Sequence, residues 1–221
     1  MSMTSTVLLS NIRHALKENF IPAVFLQCFA VFVAVSYFYW PGSHGVFNFF
    51  AHLKSTYGVI YAVVSTSLFG GIIPYIYLLF AGKIPRYKVQ QCVFYVLIWA
   101  VIGVLVNTFY EWQAIWFGDD TDWLTIVKKT ALDQFVFSLF LTCPLLTLAY
   151  LWKDQGFSWQ RTRPHLGSML TLRIPTTVLT NWLIWIPAVS LIYAMPPNLQ
   201  IPLFNLVLCF FVLILSMLNK K

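Results

Sequence analysis

Long apolar stretches alternate with short polar segments along the whole chain. A helix that crosses the hydrocarbon core of a bilayer needs about 20 mostly apolar residues. Six stretches reach or approach that length, at residues 20–40, 57–80, 92–116, 131–152, 176–195 and 199–217. The pattern predicts an all-α polytopic transmembrane helical bundle, with one membrane domain over residues 20–217.

Composition excludes a water-soluble domain. Hydrophobic residues make up 59% of the 221 residues and charged residues 10%, and the mean hydropathy is +0.75. A chain of this length cannot bury so much apolar surface in a core bounded by water. Cys28, Cys92, Cys143 and Cys209 lie in or beside apolar stretches without metal-ligand spacing, so we expect no cofactor and no metal.

The positive charges predict the topology. With six spans and a cytoplasmic N-terminus, 11 of the 14 Lys and Arg residues fall on the cytoplasmic side. The other side carries Lys54, Lys128 and Lys129, with the acidic residues Asp119, Asp120 and Asp122. Omitting the third stretch places equal numbers of Lys and Arg on the two sides. The positive-inside rule therefore favours six spans with both termini cytoplasmic.

The formal charge of +7 has a membrane explanation. The basic residues sit in short segments next to the predicted spans, where they meet anionic lipid headgroups. We therefore expect membrane lipid as a partner and no nucleic acid.

The two ends of the chain are more polar than its middle. Residues 1–19 form a polar segment that is either an amphipathic helix on the membrane surface or a frayed terminus. Residues 218–221 form a short basic tail.

Five polar residues inside the apolar stretches are candidates for a pore: Asn107, Glu111, Asp133, Gln134 and Asn205. A charged side chain near the bilayer centre costs about 2.5–3.5 kcal/mol on insertion scales, so such residues need an explanation. Asp133 either pairs with Lys129 one turn earlier or faces a water-filled cavity. The five could converge on one site, or they could join the helices by hydrogen bonds.

The second stretch contains Gly70 and Gly71 shortly before Pro74. Small residues allow close helix packing, and proline breaks the hydrogen-bond ladder. Two interpretations remain open: a packing site, or a broken helix that lines a solute path.

Three motifs carry a family resemblance: Ala131-Leu132-Asp133-Gln134, the run at residues 179–187, and residues 205–216. They resemble the Mpv-seventeen family of small peroxisomal and mitochondrial membrane proteins. The resemblance covers residues 128–216, and residues 70–85 show a weaker similarity to the family. It implies a channel-like or solute-permeating protein. Within the second motif, Asn181, Trp182, Trp185 and Pro187 are expected to form a packing junction where the fifth span leaves the cytoplasmic interface.

The chain also departs from the family pattern. Ile186 separates Trp185 from Pro187, the usual arginine is replaced near Gln200, and the Gly-Asp pair of the first span is missing. Residues 88–124 add an apolar stretch, which is either a true span or re-entrant. The charge bias favours a true span.

Together these patterns predict a channel-like protein that permeates an unknown small solute. The alternative is a structural or assembly protein that binds lipid or a partner membrane protein without transport. We expect no enzyme, because no His-rich box or paired intramembrane aspartates are present. A homo-oligomer is a candidate assembly. The favoured location is a bacterial cytoplasmic membrane, with a mitochondrial inner or peroxisomal membrane as the alternative.

Overall fold

The computed structural model describes the backbone of residues 3–218 and the side chains of residues 6–213. Lys220 and Lys221 of the predicted basic tail lie outside this part of the chain. Over residues 3–218 the fold is all-α, as predicted. Its six long helices are α1 (Met3–Tyr39), α2 (Pro41–Phe80), α3 (Lys88–Phe117), α4 (Trp123–Asp154), α5 (Trp159–Tyr193) and α6 (Pro197–Leu218).

Five of these helices, α1 to α5, are long and apolar enough to cross a membrane. The sixth is apolar but shorter over its searched stretch, Pro197–Leu213. The third predicted stretch lies in α3, an unbroken helix of 30 residues. At 1.5 Å per residue, a helix needs only about 20 residues to span the hydrocarbon core. The chain is an integral multi-pass membrane protein by these criteria.

The distribution of side chains is inverted relative to that of a water-soluble protein. Large apolar residues face outward on several helices, including Phe32 on α1, Ile60 on α2 and Phe140 on α4. Uncharged polar residues such as Gln134 and Asn205 are instead fully buried. An apolar outer surface of this extent is expected where the solvent is lipid.

The helices form a closed ring. Helix α1 packs on α5 and α6, α5 on α4, α4 on α3, α3 on α2, and α2 on α6. Consecutive helices are joined by one to seven residues, so they run antiparallel. Helix α2 is kinked at Gly58, where the backbone is not helical. This places the start of α1, α3 and α5 and the end of α2, α4 and α6 together. We call this the basic end, because it carries Arg13, Lys17, Lys83, Arg86, Lys88, Lys153, Arg161, Arg163 and Arg173.

The N-terminal segment differs from its prediction as a surface helix or frayed terminus. Helix α1 runs without interruption from Met3 to Tyr39, so residues 3–19 extend the helix that contains the first apolar stretch. The helix continues through Pro22.

Three of the helices contain wide π-helical segments, at Ser67–Ile72, Asp133–Thr142 and Met169–Arg173. Each segment ends two residues before a proline, namely Pro74, Pro144 or Pro175. Proline has no N–H to donate to the carbonyl four residues earlier. An i→i+5 pattern allows that carbonyl to accept from the residue after the proline instead. A proline is not sufficient for such a segment, since Pro22, Pro187 and Pro202 lie within regular α-helix.

Glycines allow α2 to approach α3 and α6 closely. A Cβ on Gly70 would lie 2.6 Å from the Trp99 ring and 2.8 Å from Leu208, and one on Gly71 would lie 2.8 Å from the Tyr95 carbonyl oxygen. Such distances are too short for real contacts, so both positions require glycine. The structure therefore gives Gly70 and Gly71 a packing role, while Pro74 faces the interior of the bundle.

Asp122 caps the start of helix α4. The Asp122 carboxylate accepts hydrogen bonds from the backbone N–H groups of Leu124 and Thr125, at 2.9 and 3.2 Å. The bonds from Thr125 and Leu124 lower the pKa of Asp122. Aspartate is among the preferred residues at this position because its carboxylate satisfies free N–H groups at the helix start.

Labelling of single cysteines tests the topology. On a background without the four native cysteines, we expect Lys88→Cys to react with an impermeant thiol reagent only from the cytoplasmic side and Asp120→Cys only from the other side. Both positions are exposed and flank α3. Labelling of both positions from the same side would mean that α3 does not cross.

Candidate functional site

A central cavity of about 660 Å³ lies inside the ring of helices. All six helices contribute to its walls. Its lining extends from Asn19, Lys83 and Tyr150 near the basic end to Tyr110 and Asp133 deep in the bundle. Ligand pockets in proteins commonly measure about 300–1,000 Å³. The cavity is therefore large enough for a small solute.

Two kinds of side chain line this cavity. Helices α4 and α5 contribute a polar strip that consists of Ser138, Thr142, Thr176, Thr177, Thr180 and Asn181. The other walls are mostly apolar and include several aromatic residues, with Tyr95, Trp99, Trp185, Phe204 and Phe211 among them. The indole N–H of Trp99 donates to the Tyr150 hydroxyl at 3.3 Å, which links α3 to α4 across the wall.

A second cavity of about 530 Å³ adjoins the first at the basic end, between α1, α4 and α5. The two share Ala15, Leu146, Tyr150, Thr176 and Thr177. The lining of the second cavity includes His14, the acidic residues Glu18 and Asp154, and the basic residue Arg173. The two cavities together provide a route from the basic end into the bundle.

The opposite end of the bundle is filled. The turn between α5 and α6 is mostly buried, at Tyr193, Met195 and Leu199, and Gln113 of α3 is also fully buried. Gln113 donates from Nε2 to the Tyr193 hydroxyl at 3.1 Å, so α3 is tied to this turn. Among the described residues, this packing closes the cavity at that end of the bundle.

Asp133 lies at the deep end of the cavity and is held by neutral donors. Tyr193 donates its hydroxyl to Oδ2 at 2.6 Å. Oδ1 accepts from Gln134 Nε2 at 2.8 Å and from the Ser138 hydroxyl at 3.4 Å. The ion pair with Lys129 that the sequence suggested is not formed: both residues are buried, but no contact within 4.0 Å joins them among the described residues.

Gln134 connects this carboxylate to α5. Its Oε1 accepts from Asn181 Nδ2 at 3.0 Å, and its backbone carbonyl accepts from the Trp182 indole N–H, also at 3.0 Å. Trp185 packs on Phe204 of α6, with ring centroids 5.4 Å apart. Of the four motif residues of α5, Asn181 and Trp185 therefore line the cavity, whereas Trp182 lies outside its lining and Pro187 is exposed.

Pro187 lies in the same stretch of α5. Its ring loosens the turn before it, because proline cannot donate and clashes with the preceding carbonyls. The carbonyl of Ile184 accepts from Gln27 Nε2 of α1 at 2.7 Å. This bond joins α1 to α5 one residue after Leu183, whose carbonyl Pro187 leaves without its helical donor.

Asn205 belongs to a different cluster. Its Oδ1 accepts from the Thr66 hydroxyl at 2.8 Å, and its Nδ2 donates to the Ser65 hydroxyl oxygen at 2.7 Å. This residue therefore fastens α6 to α2 and does not meet Asp133. The two helices pack along the side of α6 that carries Asn205, which separates it from the polar strip of α4 and α5.

Asn107 and Glu111 form a third cluster near the opposite end. Asn107 Nδ2 donates to Glu111 Oε1 at 2.9 Å, and Lys54 Nζ lies 3.7 Å from the same oxygen. Neither Asn107 nor Glu111 lines the central cavity. The five pore candidates thus divide among three places, and only Asp133 and Gln134 reach the cavity.

Several residues of the site carry no strong sequence signal. Tyr193 and Tyr110 are aromatic residues in apolar helices, which are usually part of the packing. Their rings lie 5.0 Å apart beside Asp133. A hydroxyl within an apolar stretch is a weak signal that a polar partner exists nearby, since buried polar groups are hydrogen-bonded.

Comparison with known proteins adds no assignment: no family model, curated protein or solved structure matches the chain.

The bond between Asn181 and Gln134 can be tested by stability. We expect Asn181→Ala to lower the free energy of unfolding in detergent by about 1 kcal/mol, the size of an interhelical hydrogen bond in a membrane protein. Asn198→Ala is the matched control, because Asn198 is exposed in the first turn of α6. Equal melting midpoints for the two variants would contradict a stabilising role for Asn181.

Proposed function

We propose that the protein allows small solutes to cross the membrane through its central cavity, in a channel-like manner. The observation that supports this most is the cavity itself, which is open toward the basic end and lined by a polar strip that leads to Asp133. Polar groups inside a membrane domain commonly mark solute paths. The positive-inside rule places the open end in the cytoplasm.

Passage to the other side requires a second state, because the α5–α6 turn fills the opposite end. Movement of this turn away from α3 would break the bond between Gln113 and Tyr193. The π-helical segments of α2, α4 and α5 offer places where helices can bend, since wide turns interrupt the regular ladder.

The proposal includes the broader assignments made from the sequence. The protein is a divergent relative of the Mpv-seventeen family and has no enzymatic activity. Its partners are membrane lipid and a small solute, with a homo-oligomer as a candidate assembly. Its location is a bacterial cytoplasmic membrane, with an organelle membrane as the alternative.

Release of small solutes from liposomes that contain the purified protein tests this function. We expect release of small solutes above the rate of protein-free vesicles, and we expect Leu146→Trp to reduce it at least about five-fold because the larger ring enters both cavities. Leu97→Trp is the matched control, since Leu97 is 59% exposed on the outer surface of α3.

A structural or assembly role predicts a different result. Flux no higher than that of empty vesicles for every small solute tested would contradict permeation and favour that role. Equal flux in the Leu146→Trp and Leu97→Trp variants would mean that solutes do not pass through the cavity.

A further inference from the structure

We propose that the central cavity binds organic cations, with Asp133 as the counter-charge and the aromatic wall as the surface that holds the apolar part. This inference rests on the proposed function, because it names the chemical class of the solute that enters the same cavity. The observations that carry it are the pairing of Asp133, the aromatic lining and the position of the basic residues.

The carboxylate of Asp133 is buried without a cationic partner. Its three hydrogen-bond donors are the neutral groups of Tyr193, Gln134 and Ser138. No Lys, Arg or His nitrogen lies within 4.0 Å of it among the described residues. A carboxylate has room for about four donors, so one position on Oδ2 remains. Buried charges in proteins are normally paired, and a bound ammonium group would supply the missing charge.

Asp133 is accessible from the cavity although it is buried from the outside. It is 5% exposed and forms part of the lining. The bonds from Tyr193 and Gln134 fix the carboxylate in place. A ligand that enters from the basic end therefore meets one fixed acidic group at the end of its path.

The walls suit the apolar part of such a ligand. Trp99 and Tyr110 of α3 and Trp185 of α5 line the cavity, and aromatic faces attract cations through their negative π-surface. Two aromatic rings of the lining already contact a cation of the protein itself. The ammonium group of Lys153 lies 5.9 Å from the centroid of Tyr95 and 5.6 Å from that of Tyr150.

Basic side chains stand away from the deep end. Lys83 is the one basic residue in the described lining, and it follows α2 at the basic end, whereas Asp133 lies ten residues into α4 from the other end. Lys129 lies one turn before Asp133 on α4 and is buried, but it is outside the cavity lining and more than 4.0 Å from the carboxylate. An organic anion would therefore find no cationic group of the lining beside Asp133. The deep end of the cavity therefore discriminates by charge in favour of a cation.

The test measures binding of three probes of similar size to the purified protein in detergent. Benzyltrimethylammonium is the cation, neopentylbenzene is its neutral carbon isostere, and benzenesulfonate is the anion. Isothermal titration calorimetry against protein and against empty micelles gives the specific binding of each. We expect the cation to bind at least about ten-fold more tightly than either of the other two.

Variants connect this selectivity to Asp133. We expect Asp133→Asn to weaken binding of the cation at least about ten-fold and to leave the neutral isostere unchanged. Asp120→Asn is the matched control, because it removes the same charge from an exposed loop and should leave both affinities unchanged. A melting curve of each variant confirms that the protein remains folded.

Two results would overturn the inference. Equal binding of cation and neutral isostere to the native protein would mean that Asp133 is neutral in the cavity or closed to ligands. Equal loss of both probes in Asp133→Asn would mean that the residue supports the shape of the site alone. Either result leaves the flux test unaffected, so failure of the cation inference can be distinguished from failure of the proposed function.

Discussion

Replacing Gly103 with alanine is expected to lower the free energy of unfolding of the bundle by about 1–3 kcal/mol, the usual cost of overpacking a filled interior. A Cβ at this position would lie 2.7 Å from the carbonyl oxygen of Ala62 and 3.1 Å from Cβ of Thr66. Both neighbours belong to the helix α2, so a change of rotamer cannot relieve the contact. Helices α2 and α3 would have to move apart.

Gly45→Ala is the control for this prediction. Gly45 also lies in a helix, and a Cβ there would meet nothing within 4 Å. Alanine is the better helix former by roughly 0.5–1 kcal/mol, so we expect this variant to be as stable as the native protein or slightly more stable. Unfolding in detergent, followed by circular dichroism, measures both. A Gly103→Ala protein that melts no lower than Gly45→Ala would contradict the close approach of α2 and α3.

Asp133→Leu is expected to destabilise the protein by several kcal/mol. The change leaves the hydroxyl of Tyr193 and the amide of Gln134 without their acceptor in a buried site. Each buried donor that loses its partner costs about 1–3 kcal/mol. We expect a lower melting midpoint, or loss of folded protein during purification.

Asp133→Asn separates the hydrogen bonds from the charge. The amide oxygen of asparagine can still accept from Tyr193, so we expect this variant to lose less stability than Asp133→Leu. Melting curves of the two variants under the same detergent give the comparison. Equal midpoints for the native protein and the leucine variant would mean that the carboxylate contributes nothing to the fold.

The sequence was sufficient to predict the fold class. Apolar stretches near bilayer length can be satisfied only by helices, because the backbone must form its hydrogen bonds internally in lipid. The ends of the helices could not be predicted as closely. The polar residues 3–19 continue α1, since a helix does not need to stop where its side chains change from polar to apolar.

The candidate site residues, too, could be predicted only in part from the sequence. Asp133 and Gln134 were found because a polar residue in an apolar stretch needs a partner, and the motif around Asn181 was found through a family resemblance. That Asn181 donates to Gln134 depends on which face of α5 meets α4. Tyr193, the closest partner of Asp133, lies 60 positions away, and its hydroxyl is only a weak signal in the sequence.

The sequence by itself determined that the chain is a bundle of apolar helices, and its charges favour one orientation in the membrane. Local composition and the requirements of the lipid decide these properties. The tertiary structure decided which polar residues meet. It separated Asn205 and the Asn107–Glu111 pair from Asp133 and left a cavity between the helices. Contacts between helices depend on their rotation and order in the ring, which no local pattern specifies.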